Sequence, residues 1–199
     1  MLLYDYGQLC PQLMGFRSSK VKVVKDNTVE YEGRHLYFGY GMNTNREQMA
    51  GRCPSSKLIG PAILPGYKFV FRGHADVELD WESQVEGVLW DVGDEDLIAL
   101  DRLEGFPNYY LRQRAWVDTD QGYGVAWVYM MNDQNFVSNP STGYYNMCME
   151  GYKQHGVPTE QLTNALIGDT KQYQHDYWET FQDTQDWYGS WSTNRKYLW

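Results

Sequence analysis

Cysteine is scarce in this chain: three residues in 199, at positions 10, 53 and 148, an odd number set far apart. They form no C-x-x-C pair and have no zinc-ligand spacing to the four histidines, which excludes a disulfide framework and leaves no metal site to expect. Free thiols fit a reduced, cytoplasmic setting. Basic residues are also in short supply, 17 Lys and Arg against 26 Asp and Glu, for a net charge of -9 and an isoelectric point near 4.8. With no basic cluster to compensate locally, phosphate backbones and anionic lipid surfaces are repelled, so neither nucleic acid nor membrane is an expected partner. No stretch approaches the ~18 consecutive apolar residues of a membrane span. The opening Met1-Leu2-Leu3-Tyr4 is too short and uncharged for a signal peptide, so export is not expected. There is no internal repeat.

What is present is enough for a packed core. Apolar residues make up 42% and aromatics 16%, despite a mean hydropathy of -0.63, and a length of 199 residues suits one domain with extensions. Residues 1–34 read as an N-terminal extension, a hairpin or arm carrying Val21-Lys22-Val23-Val24. The main domain is expected over 35–168. Its first strand runs through Leu36-Tyr37-Phe38 and breaks at Gly39-Tyr40-Gly41, ahead of a helix whose Thr44-Asn45-Arg46-Glu47 start reads as a capping box led by Thr44. Strands are expected at 67–72, 85–90, 110–118 and 123–131. A short helix should begin at Asp94-Glu95-Asp96, bury Leu97 and Leu100 on one face and end at Glu104-Gly105; further helices follow Pro140. Residues 169–199 form an aromatic-rich, aliphatic-poor C-terminal extension in which Tyr173, Tyr177 and Phe181 recur every four residues. That stripe is expected to be covered, either by the chain's own domain or by the second subunit of a homodimer. Strands interspersed with short helices indicate an α+β fold with a mixed sheet, and pattern alone does not decide whether the sheet closes.

Two places could carry chemistry. The loop Gly39-Tyr40-Gly41-Met42-Asn43 lies between a strand and a helix start, where successive backbone amides could hold a carboxylate, or it is simply a turn. Glu104 lies four residues after Leu100 and seven after Leu97. Either it leans into water from the helix end, or it shares the buried leucine face, where desolvation and the negative helix terminus would raise its pKa toward neutrality. His74 and Cys148 could in principle pair as base and nucleophile, but a hydrogen-bonded histidine and a buried thiol are the simpler reading.

In order, Tyr37-Phe38-Gly39-Tyr40-Gly41-Met42-Asn43, Gly87-Val88-Leu89-Trp90, Leu100-Asp101-Arg102-Leu103-Glu104-Gly105, Tyr110-Leu111-Arg112 and Pro140-Ser141-Thr142-Gly143-Tyr144 resemble the motifs of the gamma-glutamylcyclotransferase family, including its AIG2-like relatives. The resemblance spans residues 36 to about 167. It implies a small mixed β-barrel surrounded by short helices. It also implies that Tyr40, Gly41, Met42 and Asn43 bind the glutamyl carboxylate, that Glu104 is the general acid/base, and that Tyr110 and Tyr144 line the pocket. Gly39 and Met42 stand where the family usually has Ala and Ser.

The activity so implied is cyclisation of a gamma-glutamyl amino acid or gamma-glutamylamine to 5-oxoproline, with no cofactor, because the substrate carries its own nucleophile. A non-catalytic binding module on the same fold is the alternative, and a glycan or peptide reader using the eight tryptophans is a third.

Overall fold

The computed structural model describes residues 21–23, 29–31, 33–120 and 122–173. Its largest element is a pair of long antiparallel strands, β4 (Lys57–Arg72) and β5 (His74–Gly93), joined at Gly73. Gly73 has a φ of 75°, which lets the chain reverse within one residue. Bulges between Leu58 and Gly60 and between Pro65 and Tyr67 carry the ladder past two glycines and two prolines. β3 (Arg34–Gly39) runs antiparallel along β5, and the hairpin of β6 (Tyr110–Thr119) and β7 (Gly122–Met131) meets β4 at Ile63. A parallel bridge between Tyr37 and Trp127 then joins β7 back to β3. The order β3-β5-β4-β6-β7-β3 is a closed five-stranded barrel of mixed pairing, as the family resemblance implied. Two short strands, β1 (Val21–Val23) and β2 (Val29–Tyr31), pair with each other and continue the ladder at Tyr31 and Arg34.

Every barrel strand sends side chains into one core: Phe38, Leu64, Val77, Val88, Val117 and Val128 are all buried. At ~2 kcal/mol for each large apolar side chain removed from water, this core supplies the main driving force for folding. Four short helices surround it: α1 (Arg46–Arg52), α2 (Asp94–Leu103), α3 (Thr142–His155) and α4 (Glu160–Asn164). In α2, Leu97 and Leu100 are buried as their spacing predicts, whereas Leu103 is 47% exposed. Asp96, buried at the start of α2, accepts hydrogen bonds from Ser55 and from the Gly93 amide, tying the helix to the turn after α1. α3 starts on a Ser141 side-chain cap and ends at left-handed Gly156.

The capping box expected at Thr44 is not the one used. A 3-10 turn, Met42–Thr44, intervenes, so the cap moves one residue on to Asn45, which accepts from the amides of Glu47 and Gln48, and α1 begins at Arg46. The Thr44 hydroxyl instead donates to the Gly41 carbonyl at 2.8 Å.

The described residues fall into two units, one ending at Leu166 and a second beginning at Ile167, whose described part ends in a 3-10 turn, Lys171–Tyr173. The expected aromatic stripe continues through Tyr177 and Phe181, which lie outside the described residues. Among the described residues no helix is long and apolar enough to cross a membrane, and no group of His, Cys, Asp and Glu has the arrangement of a metal site.

Candidate active site

The loop after β3 is built by its own amides. Those of Thr44 and Asn45 close the 3-10 turn on the carbonyls of Gly41 and Met42, each at 3.0 Å. The Met42 amide acts electrostatically on the Tyr144 hydroxyl, favouring its oxygen as an acceptor. Among the described residues no such partner is found for the amides of Gly41 and Asn43. The loop needs glycine at 41 because a Cβ there would lie 2.7 Å from the Tyr144 hydroxyl and 2.8 Å from the Ala75 Cβ.

Tyr40 is anchored from both ends. Its ring lies among Phe38 and Phe69, its hydroxyl donates to the Tyr129 carbonyl at 2.5 Å, and its carbonyl accepts from Tyr152 of α3 at 2.7 Å. Its side chain therefore belongs to the barrel interior, and its contribution to the loop is its backbone.

Glu104 caps the C-terminal end of α2, followed by Gly105 in the left-handed region at φ 62°. The residue keeps partial solvent contact, but its carboxyl group is enclosed. Burial pushes its pKa up to about 7, against the lowering influence of the Arg52 guanidinium and a hydrogen bond from Asn43. Asn43 Nδ2 donates to Glu104 Oε1 at 3.0 Å and to the Tyr37 hydroxyl at 2.7 Å. The loop is also held by Arg52, at the end of α1, whose Nη1 donates to Asn43 Oδ1 at 2.5 Å and whose Nη2 lies 3.0 Å from Met42 Sδ.

Tyr110 and Tyr144 converge on one residue. The Tyr110 hydroxyl donates to the Ala75 carbonyl at 2.8 Å, and the Ala75 amide donates to the Tyr144 hydroxyl at 3.1 Å. His74 stacks edge-on against Tyr144 and Tyr109, and burial lowers its pKa. Cys148 is fully buried and burial pushes its thiol up, so it is poorly suited to act as a nucleophile.

The structure thus brings Glu104, Asn43 and Met42 together through one chain of contacts, and ties Gly41 to Tyr144 and Tyr110 through Ala75. Reasoning from the sequence gave no role to Arg52, Asp101 or Arg112. Arg52 had only a helix-end position to signal it. Asp101 and Arg112 stood inside quoted motifs, and they turn out to be a strut: Arg112 Nη1 reaches both Asp101 oxygens at 3.0 and 2.9 Å, and the Tyr129 hydroxyl donates to the same carboxylate at 2.7 Å. The Arg112 guanidinium also lies over Trp127, locking α2 to the hairpin of β6 and β7.

Two shallow surface clefts, of about 440 Å³ beside Ile63, Gly87 and Val157 and about 350 Å³ beside Cys53, Leu58 and Trp90, do not include Glu104 in their walls. Convergence of polar groups, rather than cleft size, singles out the candidate site.

Comparison with known proteins bears on the same residues. The family profile for gamma-glutamyl cyclotransferase, AIG2-like, matches residues 37–147, the span holding Glu104, the loop and both tyrosines. A gamma-glutamylcyclotransferase of Bos taurus is 30% identical over 139 residues, 63% of this chain and 73% of that protein. Among solved structures, a gamma-glutamyl cyclotransferase superposes with a TM-score of 0.63 at 24% identity, covering 77% of this chain and 98% of the other. A yeast cyclotransferase specific to glutathione superposes at 0.51 with 13% identity, over 73% of this chain and 99% of that one, which shows shared fold only. The barrel, the ordered motifs and these matches agree, and the chain belongs to the gamma-glutamylcyclotransferase, AIG2-like family.

Proposed function

We propose that this protein is a gamma-glutamylcyclotransferase-type enzyme that converts a gamma-glutamyl amino acid or gamma-glutamylamine to 5-oxoproline and releases the amine. The observation that carries the reading is the Glu104 carboxyl, held 3.0 Å from the loop's Asn43 with its pKa raised to about 7 by burial. A group titrating there can both accept and return a proton at neutral pH.

In this reading the free amides of Gly41 and Asn43 hold the glutamyl α-carboxylate, and the folded substrate places its α-nitrogen against its own γ-carbonyl. Intramolecular attack of this kind gains up to ~7–11 kcal/mol over the bimolecular reaction when geometry is fixed. Glu104 takes a proton from the α-ammonium, and the amine nitrogen bonds to the γ-carbonyl carbon. The bond from that carbon to the leaving nitrogen then breaks as the carboxyl returns its proton to that nitrogen. The ring nitrogen loses its second surplus proton to solvent and the departing amine gains one, so the reaction is neutral overall. Tyr110 and Tyr144, fixed on Ala75, form the wall opposite. Nothing in the scheme calls for a cofactor.

The test is release of 5-oxoproline from a panel of gamma-glutamyl amino acids and gamma-glutamylamines, with N-acetylated donors as controls. Turnover of free-amine donors and inert acetylated ones is the expected result. No release from any donor, with binding retained, would instead favour a non-catalytic module on this fold.

A further inference from the structure

The thioether of Met42 is a direct partner of the guanidinium at the end of α1. Met42 Sδ lies 3.0 Å from Arg52 Nη2, while Arg52 Nη1 donates to Asn43 Oδ1 at 2.5 Å. A guanidinium has only donors, so the Asn43 oxygen must face Arg52 and its amide nitrogen must face the other way. That nitrogen is the group donating to Glu104 Oε1 and to the Tyr37 hydroxyl. Without Arg52, the Asn43 amide could turn over and set a lone pair against the carboxylate.

Arg52 is also an uncompensated charge. It forms no ion pair among the described residues. The other groups whose ionisation is coupled to Glu104 are Tyr37, Tyr40, Tyr109, Tyr110 and Tyr144 from β3, the loop, the segment before β6, β6 and α3, with Cys53 after α1. Burial raises the pKa of each, Cys53 to about 12, so all stay neutral where Glu104 titrates. The charge that acts on Glu104 is Arg52.

We propose that Arg52, held between Met42 Sδ and Asn43 Oδ1, is a positioning residue that fixes the Asn43 amide toward Glu104 and thereby sets where Glu104 gains and loses its proton. Its catalytic consequence rests on the proposed function; its structural content does not. Met42 is then a working member of the site, the second anchor of the guanidinium.

The experiment is a titration of the Glu104 side-chain carboxyl by 13C NMR, its signal identified by absence in Glu104→Gln, in the wild-type protein and in Arg52→Met, Arg52→Lys and Met42→Ser. Removing the cation and freeing Asn43 both disfavour the carboxylate, so the Arg52→Met midpoint should rise by about one pH unit or more. Arg52→Lys, which keeps the charge but not the two-point hold, should rise less, as should Met42→Ser. In turnover assays the acid limb of kcat/KM should move to higher pH in the same order. A midpoint within about 0.2 units of wild type in folded Arg52→Met overturns the proposal; if that variant does not fold, unchanged midpoints in both Arg52→Lys and Met42→Ser do so. A wild-type protein that releases no 5-oxoproline would sink the enzymatic reading alone, because the carboxyl titration needs no substrate.

Discussion

Replacing Glu104 by Gln should make the protein more stable while it stops working. The folded protein holds the carboxyl proton up to about 7, against an ordinary value of 4.5. Between those values the folded state binds more protons than the unfolded one. The stability contributed by the neutral acid is therefore fully present below about 4.5 and is lost as the pH rises through about 7. A difference of 2.5 pKa units corresponds to ~3 kcal/mol when the group is ionised, an upper figure because the residue keeps partial solvent contact. Gln has no charge to bury and its Oε1 can still accept from Asn43. Urea unfolding of both proteins should show the variant ahead by under ~1 kcal/mol near pH ~5 and by about 3 kcal/mol near pH ~8, since all other titrations cancel in the difference. Turnover should fall at least ~100-fold at constant substrate affinity. A stability difference that does not change with pH would show that Glu104 is not a buried carboxyl forced to ionise, and wild-type turnover in the variant would make it structural.

Gly41→Ala puts a methyl group 2.7 Å from the Tyr144 hydroxyl and 2.8 Å from the Ala75 Cβ; the loop must shift, and turnover should drop by ~100-fold with the barrel intact by circular dichroism. Asp101→Ala strands the half-buried Arg112 and the hydroxyl of the buried Tyr129, and should cost ~2 kcal/mol in urea unfolding, with Arg112→Met in the same background adding little. Truncation after Gly168 should leave turnover intact, because every residue placed at the site lies before it, and should lower solubility or change the hydrodynamic size if the aromatic stripe of the extension is a contact surface.

The sequence was legible where local signals agree. β6 and β7 lie on either side of the sequence's turn signal Asp120-Gln121-Gly122, and α2 carries acidic residues at its start, two buried leucines and a terminal glycine. β4 and β5 were legible only in part, at 67–72 and 85–90. Gly60, Pro61, Pro65 and Gly66 look like breaks, but bulges absorb them on a strand that meets β6 only near Ile63. Barrel closure rests on a single parallel bridge between distant residues, for which periodicity offers no sign. At the site, spacing alone left Glu104 and the loop open, a helix-end carboxylate leaning into water and a plain glycine turn being the alternatives, and it was the ordered motifs of the family resemblance that singled them out. Arg52 did not, because its role depends on the thioether of Met42 and the orientation of one amide, neither of which leaves a spacing to read.

The seam of the barrel and the loop are continuous. Tyr37 bridges Trp127, and three residues later Tyr40 reaches the Tyr129 carbonyl, 89 positions away in the chain. Pairings this distant carry a large loop-closure entropy and tend to form late in folding. A chain that has made only its local hairpins, β4 with β5 and β6 with β7, still lacks the pairing of β3 with β5 and β7 that positions the segment carrying Gly41 and Asn43. The loop is therefore placed only when β3 closes the barrel, and under the proposed function turnover would report on completed closure.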